Sequence, residues 1–308
     1  MDEIAQKIQD EMERLGFKAK TVSIMHLPEL REAVGRLVRQ GLLNRRLYQG
    51  WHFYLDTNKE LPEAETIIIV AMPHPMARVR FEYKGSVYPA DIPPDYFFSF
   101  ANESSAETVL HDILQADGYK LARAHLPLKT LAVRSGLAEY GRSNIAYVTG
   151  MGSLCTLVAF FTDWLCEEDN WREAKAMEAC ESCTLCRESC PTGSITADRF
   201  LIHAEKCLGF LQEVEPQKPY WVQLQPDWDN ALIGCMRCQS VCPVDKPYLR
   251  EVVEGPTLSE EETDLMLSRT PWDDLPQETR RRLRIPGVLY PRMLPNLRAR
   301  IDKKSKQE

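Results

Sequence analysis

No stretch of the 308-residue chain approaches the roughly 20 consecutive apolar residues that a membrane-spanning helix needs. The longest candidate, around Ala159-Phe160-Phe161, is soon stopped by Asp163. The opening residues, Met1-Asp2-Glu3-Ile4, lack the basic and apolar regions of a secretory signal. The expectation is a cytoplasmic protein with reduced thiols, so its ten cysteines are not expected to form disulfides. Internal repeats are missing too, apart from two groups of cysteines. With 44% hydrophobic and 27% charged residues the composition is ordinary for a globular chain, and the length indicates about two domains.

Eight cysteines fall into two matched groups, each ending in Cys-Pro. Cys180, Cys183, Cys186 and Cys190 precede Pro191; Cys207, Cys235, Cys238 and Cys242 precede Pro243. The first group has the spacing C-x2-C-x2-C-x3-C-P, in which three cysteines bind one [4Fe–4S] cluster and the fourth reaches a second. A short turn wraps a cubane from three corners, and the Cys-Pro starts a segment that points away. This geometry assigns Cys180, Cys183, Cys186 and Cys242 to one cluster and Cys190, Cys207, Cys235 and Cys238 to the other. Zinc is the competing reading of C-x2-C pairs, but zinc sites have no use for the trailing C-x3-C-P. Cys155 and Cys166 are left over and read as buried thiols acting as small hydrophobes.

The net charge of −7 is unevenly placed: Arg280 to Glu308 holds ten Lys or Arg against two acidic residues. A basic tail can contact phosphate. Pro286, Pro291 and Pro295, with little aromatic interleaving, favour instead a solvated, partly helical tail.

Apolar spacing predicts a helix through Ile4, Ile8, Met12 and Leu15, stopped by Gly16, and a second through Leu30, Val34, Leu37, Val38 and Leu42. Thr66 to Met72 reads as a buried strand ended by Pro73 and Pro75. Ser105 is a candidate cap for a helix carrying Val109, Leu110, Ile113 and Leu114. Another helix is expected after Pro127. Ile145 to Val148 and Leu154 to Thr162 read as strands joined by a turn at Gly150-Met151-Gly152. The expected organisation is an α+β or α/β domain over residues 1–175, a cluster module over 176–250 and a helical, proline-broken tail over 251–308.

The segment Gly136-Leu137-Ala138-Glu139-Tyr140-Gly141-Arg142-Ser143-Asn144 precedes Gly152-Ser153, then Thr162-Asp163-Trp164-Leu165, then the cysteines. That order resembles the cobalamin-dependent epoxyqueuosine reductases and their relatives, the reductive dehalogenases. Cys207-Leu208-Gly209-Phe210-Leu211-Gln212-Glu213 and Ile233-Gly234-Cys235 resemble further reductase segments. The likeness is specific over residues 127–248 and faint before them. It implies an α+β fold, a nitroreductase-like cobalamin-binding domain fused to a ferredoxin-like double [4Fe–4S] module. Gly136, Leu137, Gly141, Arg142, Asn144, Gly152 and Ser153 match the loops that line the corrinoid. Glycines let backbone approach a macrocycle, and an arginine can bind its amides or phosphate. An external low-potential donor, of flavodoxin or ferredoxin type, would feed the clusters. The substrate would be tRNA-borne epoxyqueuosine or a small molecule.

Two departures matter. The reductases carry a catalytic Asp shortly before the proline that precedes the glycine loop, whereas Leu121 to Lys129 contains no acid. His125 and Tyr140 are substitute candidates for the proton donor. Tyr96, Tyr147 and Arg142 are possible counterparts of dehalogenase groups, and Lys129 matches a basic family position. The chain also ends soon after its second cysteine group, where many reductases continue into a helical-repeat domain. The leading reading is therefore a cobalamin-dependent iron–sulfur reductase. The alternatives are an electron-transfer or corrinoid-handling protein without substrate chemistry, and a dehalogenase-like enzyme acting on a small molecule.

Overall fold

The computed structural model describes residues 2–43, 60–97, 100–214 and 231–304. In chain order its first elements are α1 (Glu3–Arg14), β1 (Lys18–Ser23), α2 (Leu27–Arg39), β2 (Thr66–Pro73), β3 (Met76–Tyr83) and β4 (Ser86–Ile92). Then come α3 (Phe100–Ala116), β5 (Leu121–Ala124), α4 (Leu128–Arg134), β6 (Ala138–Tyr140), β7 (Ala146–Val148) and β8 (Cys155–Thr162). The remainder holds α5 (Leu185–Ser189), α6 (Leu208–Val214), α7 (Arg237–Ser240), β9 (Val252–Leu258), α8 (Glu260–Leu267), α9 (Gln277–Leu283) and α10 (Tyr290–Lys304).

The chain divides into two compact units. The first comprises Met1–Pro73, Ser99–Thr184 and Ala197–Leu201; the second comprises His74–Phe98, Leu185–Thr196 and Ile202–Glu308. This partition cuts across the sequence-based boundaries at 175 and 250.

The first unit is built on an antiparallel sheet in the order β1-β2-β8-β5. Antiparallel pairing makes it α+β. Side chains alternate across a strand, so β2 serves two cores. Ile67 and Ile69 pack with Leu30 of α2 and Leu131 of α4 on one face. Ile68, Val70 and Met72 pack with Ile8 and Met12 of α1 and Leu110 of α3 on the other. Helices on both faces explain why β2 and β8 read as continuous apolar runs rather than alternating ones. Each fully buried isoleucine contributes about 1.5–3 kcal/mol.

Local signals fix the ends. Asp2 caps α1 by accepting from the Ile4 N–H at 3.0 Å, and its other oxygen accepts from Trp164 Nε1 at 3.0 Å. Gly16, at φ +75°, ends the helix as the sequence predicts. The expected Ser105 cap is wrong: α3 begins at Phe100, so Ser105 lies within it. Cys155 and Cys166 are half-buried beside the two cores, and Cys166 Sγ lies 3.4 Å from Thr21 Oγ1.

The second unit contains a three-stranded sheet in the order β4-β3-β9. The β3–β4 hairpin turns through Lys84 and Gly85, at φ 49° and 72°, the two positive angles of a type I′ turn. β9 runs parallel to β3, from Met76 opposite Val252 to Phe81 opposite Leu258. Residues 280–304 are therefore not the solvated tail expected. Leu283, Met293, Leu297 and Ile301 enter a core with Phe81 and Leu258, while Arg281, Arg284 and Arg298 are exposed and Arg280, Arg282, Arg292 and Arg300 are half-buried. The last residues of the chain, 305–308, lie outside the described residues.

Candidate functional site

In the second unit, the cysteines sit on one-turn helices and the segments flanking them. Cys186 lies in α5 and Cys238 in α7. Ser189 joins the two, its hydroxyl lying 3.2 Å from the Cys186 carbonyl and 3.3 Å from the Arg237 carbonyl. Cys207 immediately precedes α6. Cys190, Cys207, Cys235 and Cys238 all lie within electrostatic range of one another. Cys238 is within the same range of Cys186, which spacing assigns to the other cluster, so these interactions span both cysteine groups without separating them.

Backbone donors point at three of these sulfurs. Ser194 N–H donates to Cys190 Sγ at 3.3 Å. The Gly209 and Phe210 N–H groups serve Cys207, and Arg237 N–H serves Cys235. Burial nonetheless pushes the thiols up, Cys235 to about 11 and Cys207 and Cys238 in the same direction. Burial therefore favours the neutral thiols, and iron bound there would take the place of their protons. Half-buried sulfurs with aimed N–H groups fit an iron–sulfur cluster, whose potential such hydrogen bonds tune.

Cys180 and Cys183 belong to the first unit, where the β6–β7 hairpin meets them. Gly141 N–H donates to the Ile145 carbonyl at 2.8 Å and Asn144, at φ 61°, closes the turn. Arg142 does not project freely toward a ligand. Its main-chain N–H donates to Cys180 Sγ at 3.4 Å, and its Nε to the Cys183 carbonyl at 2.8 Å. A terminal nitrogen serves the carbonyls of Cys180 and of Glu181, the latter at 3.2 Å. The guanidinium expected to bind a corrinoid amide or phosphate is instead committed to the first cysteine turn.

Other residues of the predicted corrinoid loop also have internal partners. Leu137 is buried in the core. Gly141 lets the Tyr147 ring pack where a Cβ would stand, and Tyr147 is buried. Gly136, at φ +75°, follows α4 against Arg172. Gly152 closes a tight turn, donating to and accepting from Val148 at 2.9 Å, and Ser153 is buried beside it. Lys129 Nζ donates to the Asn144 carbonyl at 3.1 Å. Ser143, which sequence reasoning passed over, is 4% exposed and its hydroxyl has no partner among the described residues. A buried hydroxyl left unpaired costs about 1–3 kcal/mol, so a polar ligand reaching this turn would relieve it.

Of the proposed donors, Tyr140 is half-buried, with its hydroxyl 3.1 Å from Thr130 Oγ1 and its ring edge-on to Phe200 at 4.9 Å. Burial raises its pKa, outweighing the opposing hydrogen bond with Thr130. His125 lies exposed between β5 and α4. Tyr96 is in the second unit, hydrogen-bonded to Glu213 and packed on Gly234, next to Cys235.

Residues 179–245 match the 4Fe-4S double cluster binding domain family. This segment is a double-cluster domain. Among curated proteins the chain is similar to epoxyqueuosine reductases. It is 25% identical over 198 residues to that of Bacillus subtilis (strain 168), covering 60% of this chain and 49% of the relative. With the Shewanella oneidensis enzyme it is 38% identical over 69 residues, 22% of this chain and 17% of the relative. The chain thus matches half or less of these relatives' lengths. In three dimensions it resembles epoxyqueuosine reductase from Streptococcus thermophilus, with a TM-score of 0.69 at 17% identity over 99% of this chain and 83% of that one. A further neighbour was solved with an epoxyqueuosine-modified tRNA stem loop, at TM-score 0.56, 19% identity and coverage of 80% and 66%. The double-cluster domain therefore occurs within an epoxyqueuosine reductase-like fold.

Proposed function

We propose that the chain is a cobalamin-dependent iron–sulfur reductase acting on epoxyqueuosine in tRNA. The observation that carries this reading is the match of residues 179–245 to a double-cluster domain, within which the Cys190, Cys207, Cys235 and Cys238 thiols interact and the first three accept backbone N–H bonds at sulfur. The second cluster is assigned by spacing to Cys180, Cys183, Cys186 and Cys242. Sequence and fold similarity to epoxyqueuosine reductases supports the reaction class, and the neighbour with a modified stem loop supports the substrate.

The residues left for a corrinoid are those of the two turns: Ser143 and Asn144 in one, Gly152 and Ser153 in the other. A bound corrinoid would supply one-electron chemistry at cobalt that side chains lack. Tyr140 keeps its proton at neutral pH, as a donor must, and Thr130 orients its hydroxyl. His125 is the alternative donor. Electrons come from an external low-potential flavodoxin or ferredoxin.

The test is anaerobic reconstitution with iron, sulfide and cobalamin, then turnover on an epoxyqueuosine-bearing stem loop. The expected result is about eight iron atoms per chain from two cubanes, corrinoid absorption that co-purifies, and formation of queuosine. Iron without corrinoid binding would overturn the cobalamin reading. The absence of acid from Leu121 to Lys129 favours one second reading, an electron-transfer or corrinoid-handling protein. It predicts both cofactors bound and no turnover.

A further inference from the structure

Arg142 makes four donations to one turn of chain. It engages Cys180 through sulfur and carbonyl, Cys183 through its carbonyl and Glu181 through its carbonyl. A guanidinium is planar and permanently charged, so its fork can hold several carbonyls in fixed relation where a lysine could not. The β6–β7 hairpin sets its position, because Gly141 and Ile145 close the turn on either side. Glu178 and Glu181, in the same cysteine segment, carry the opposite charge, but both are exposed, where water and salt screen them. Arg142 is half-buried and pinned.

Reduction of a [4Fe–4S] cluster adds one electron and makes it more negative. A cation fixed beside it, together with an N–H bond to a ligand sulfur, stabilises that added charge and raises the potential. We propose that Arg142 is a positioning residue that raises the reduction potential of the cluster held in part by Cys180 and Cys183. Control of electron acceptance then lies in the hairpin that also carries Tyr140. The inference rests on the cluster assignment above, and its failure is separable from failure of that assignment.

The experiment is a redox titration of the anaerobically reconstituted full chain, with dithionite as electron source and electron paramagnetic resonance following each reduced cluster. Wild type is compared with Arg142→Gln and Arg142→Lys. Arg142→Gln is expected to keep full iron, to lower the midpoint of one cluster and to leave the other unmoved. Arg142→Lys keeps the charge but not the fork, and is expected to shift the same midpoint less. Should Arg142→Gln shed iron, Arg142→Lys carries the test: a lowered midpoint at full iron supports the proposal, and an unchanged one overturns it. Unmoved midpoints at full iron, equal shifts in both clusters, or equal shifts in both variants would also overturn it. Loss of half the iron in both variants would make Arg142 a scaffold only and reject tuning. A wild-type protein that binds no iron would instead reject the cluster assignment.

Discussion

Gln212 Oε1 accepts a hydrogen bond from the Gly234 N–H at 2.7 Å, tying α6 to the segment that enters Cys235. Asn296 of α10 reinforces the tie, donating through Nδ2 to the Leu232 carbonyl at 3.0 Å and lying 3.4 Å from the same Gln212 oxygen. All three residues are buried. Gln212→Ala should leave the Gly234 donor without its acceptor, at a cost of about 1–3 kcal/mol. The expected outcome is a lower melting temperature and faster iron loss to a chelator. Wild-type chelation kinetics in the variant would show that the tie does not hold the cysteine segment.

Cys190→Ala and Cys238→Ala should each remove one cluster. Iron analysis should fall from about eight to about four atoms per chain, the content of one cubane. Retention of full iron by either variant would reject the ligand assignment.

Glu262 predicts an acid-sensitive element. Burial opposes its ionisation, but hydrogen bonds from Arg282, Thr279 and the Ser259 main-chain N–H outweigh that and hold its carboxyl below the usual range. A lowered folded-state pKa means the stabilisation is fully present above the unfolded value and is lost as pH falls through the folded one. Glu262→Gln should cost about 1–2 kcal/mol at neutral pH, since it removes a charged acceptor from the α8 capping box. Urea unfolding at neutral pH and near pH 4 should show the variant losing less stability on acidification than wild type. Parallel losses would remove Glu262 from the explanation.

Tyr140→Phe separates chemistry from packing. If Tyr140 donates the proton, turnover should fall by about 10²-fold or more while corrinoid and substrate binding are retained. Thr130→Val removes the hydroxyl's partner and should cost about 0.5–1.5 kcal/mol of stability with a smaller loss of turnover. Unchanged turnover in Tyr140→Phe would transfer the role to His125 or elsewhere.

The parts legible in sequence were those whose signals are local. Cysteine spacing marked out the segment that matches the double-cluster domain. The β2 run announced a strand buried on both faces, and Gly16 announced the end of α1. What escaped was settled by distant partners. Val252 to Leu258 includes Gly255 and Pro256, which weaken a strand reading, yet it forms β9 because β3 supplies its ladder. The arginines after residue 280 suggested solvation, while Leu283, Met293 and Leu297 between them were turning inward. Arg142 gave no sign of its target, since Cys180 lies 38 positions away. Ser105 had capping chemistry, but Ala106 and Leu110 belong to a helix already under way.

The parallel pairing of β3 with β9 has a temporal consequence. The two strands flank all eight cysteines of the two groups in sequence, β3 ending at Tyr83 and β9 beginning at Val252. During synthesis the last cysteine, Cys242, emerges before the strand that completes this sheet. Parallel strands so far apart close slowly, because the intervening chain must be ordered first. All the cysteines of both groups are therefore synthesised before β9 can complete this sheet.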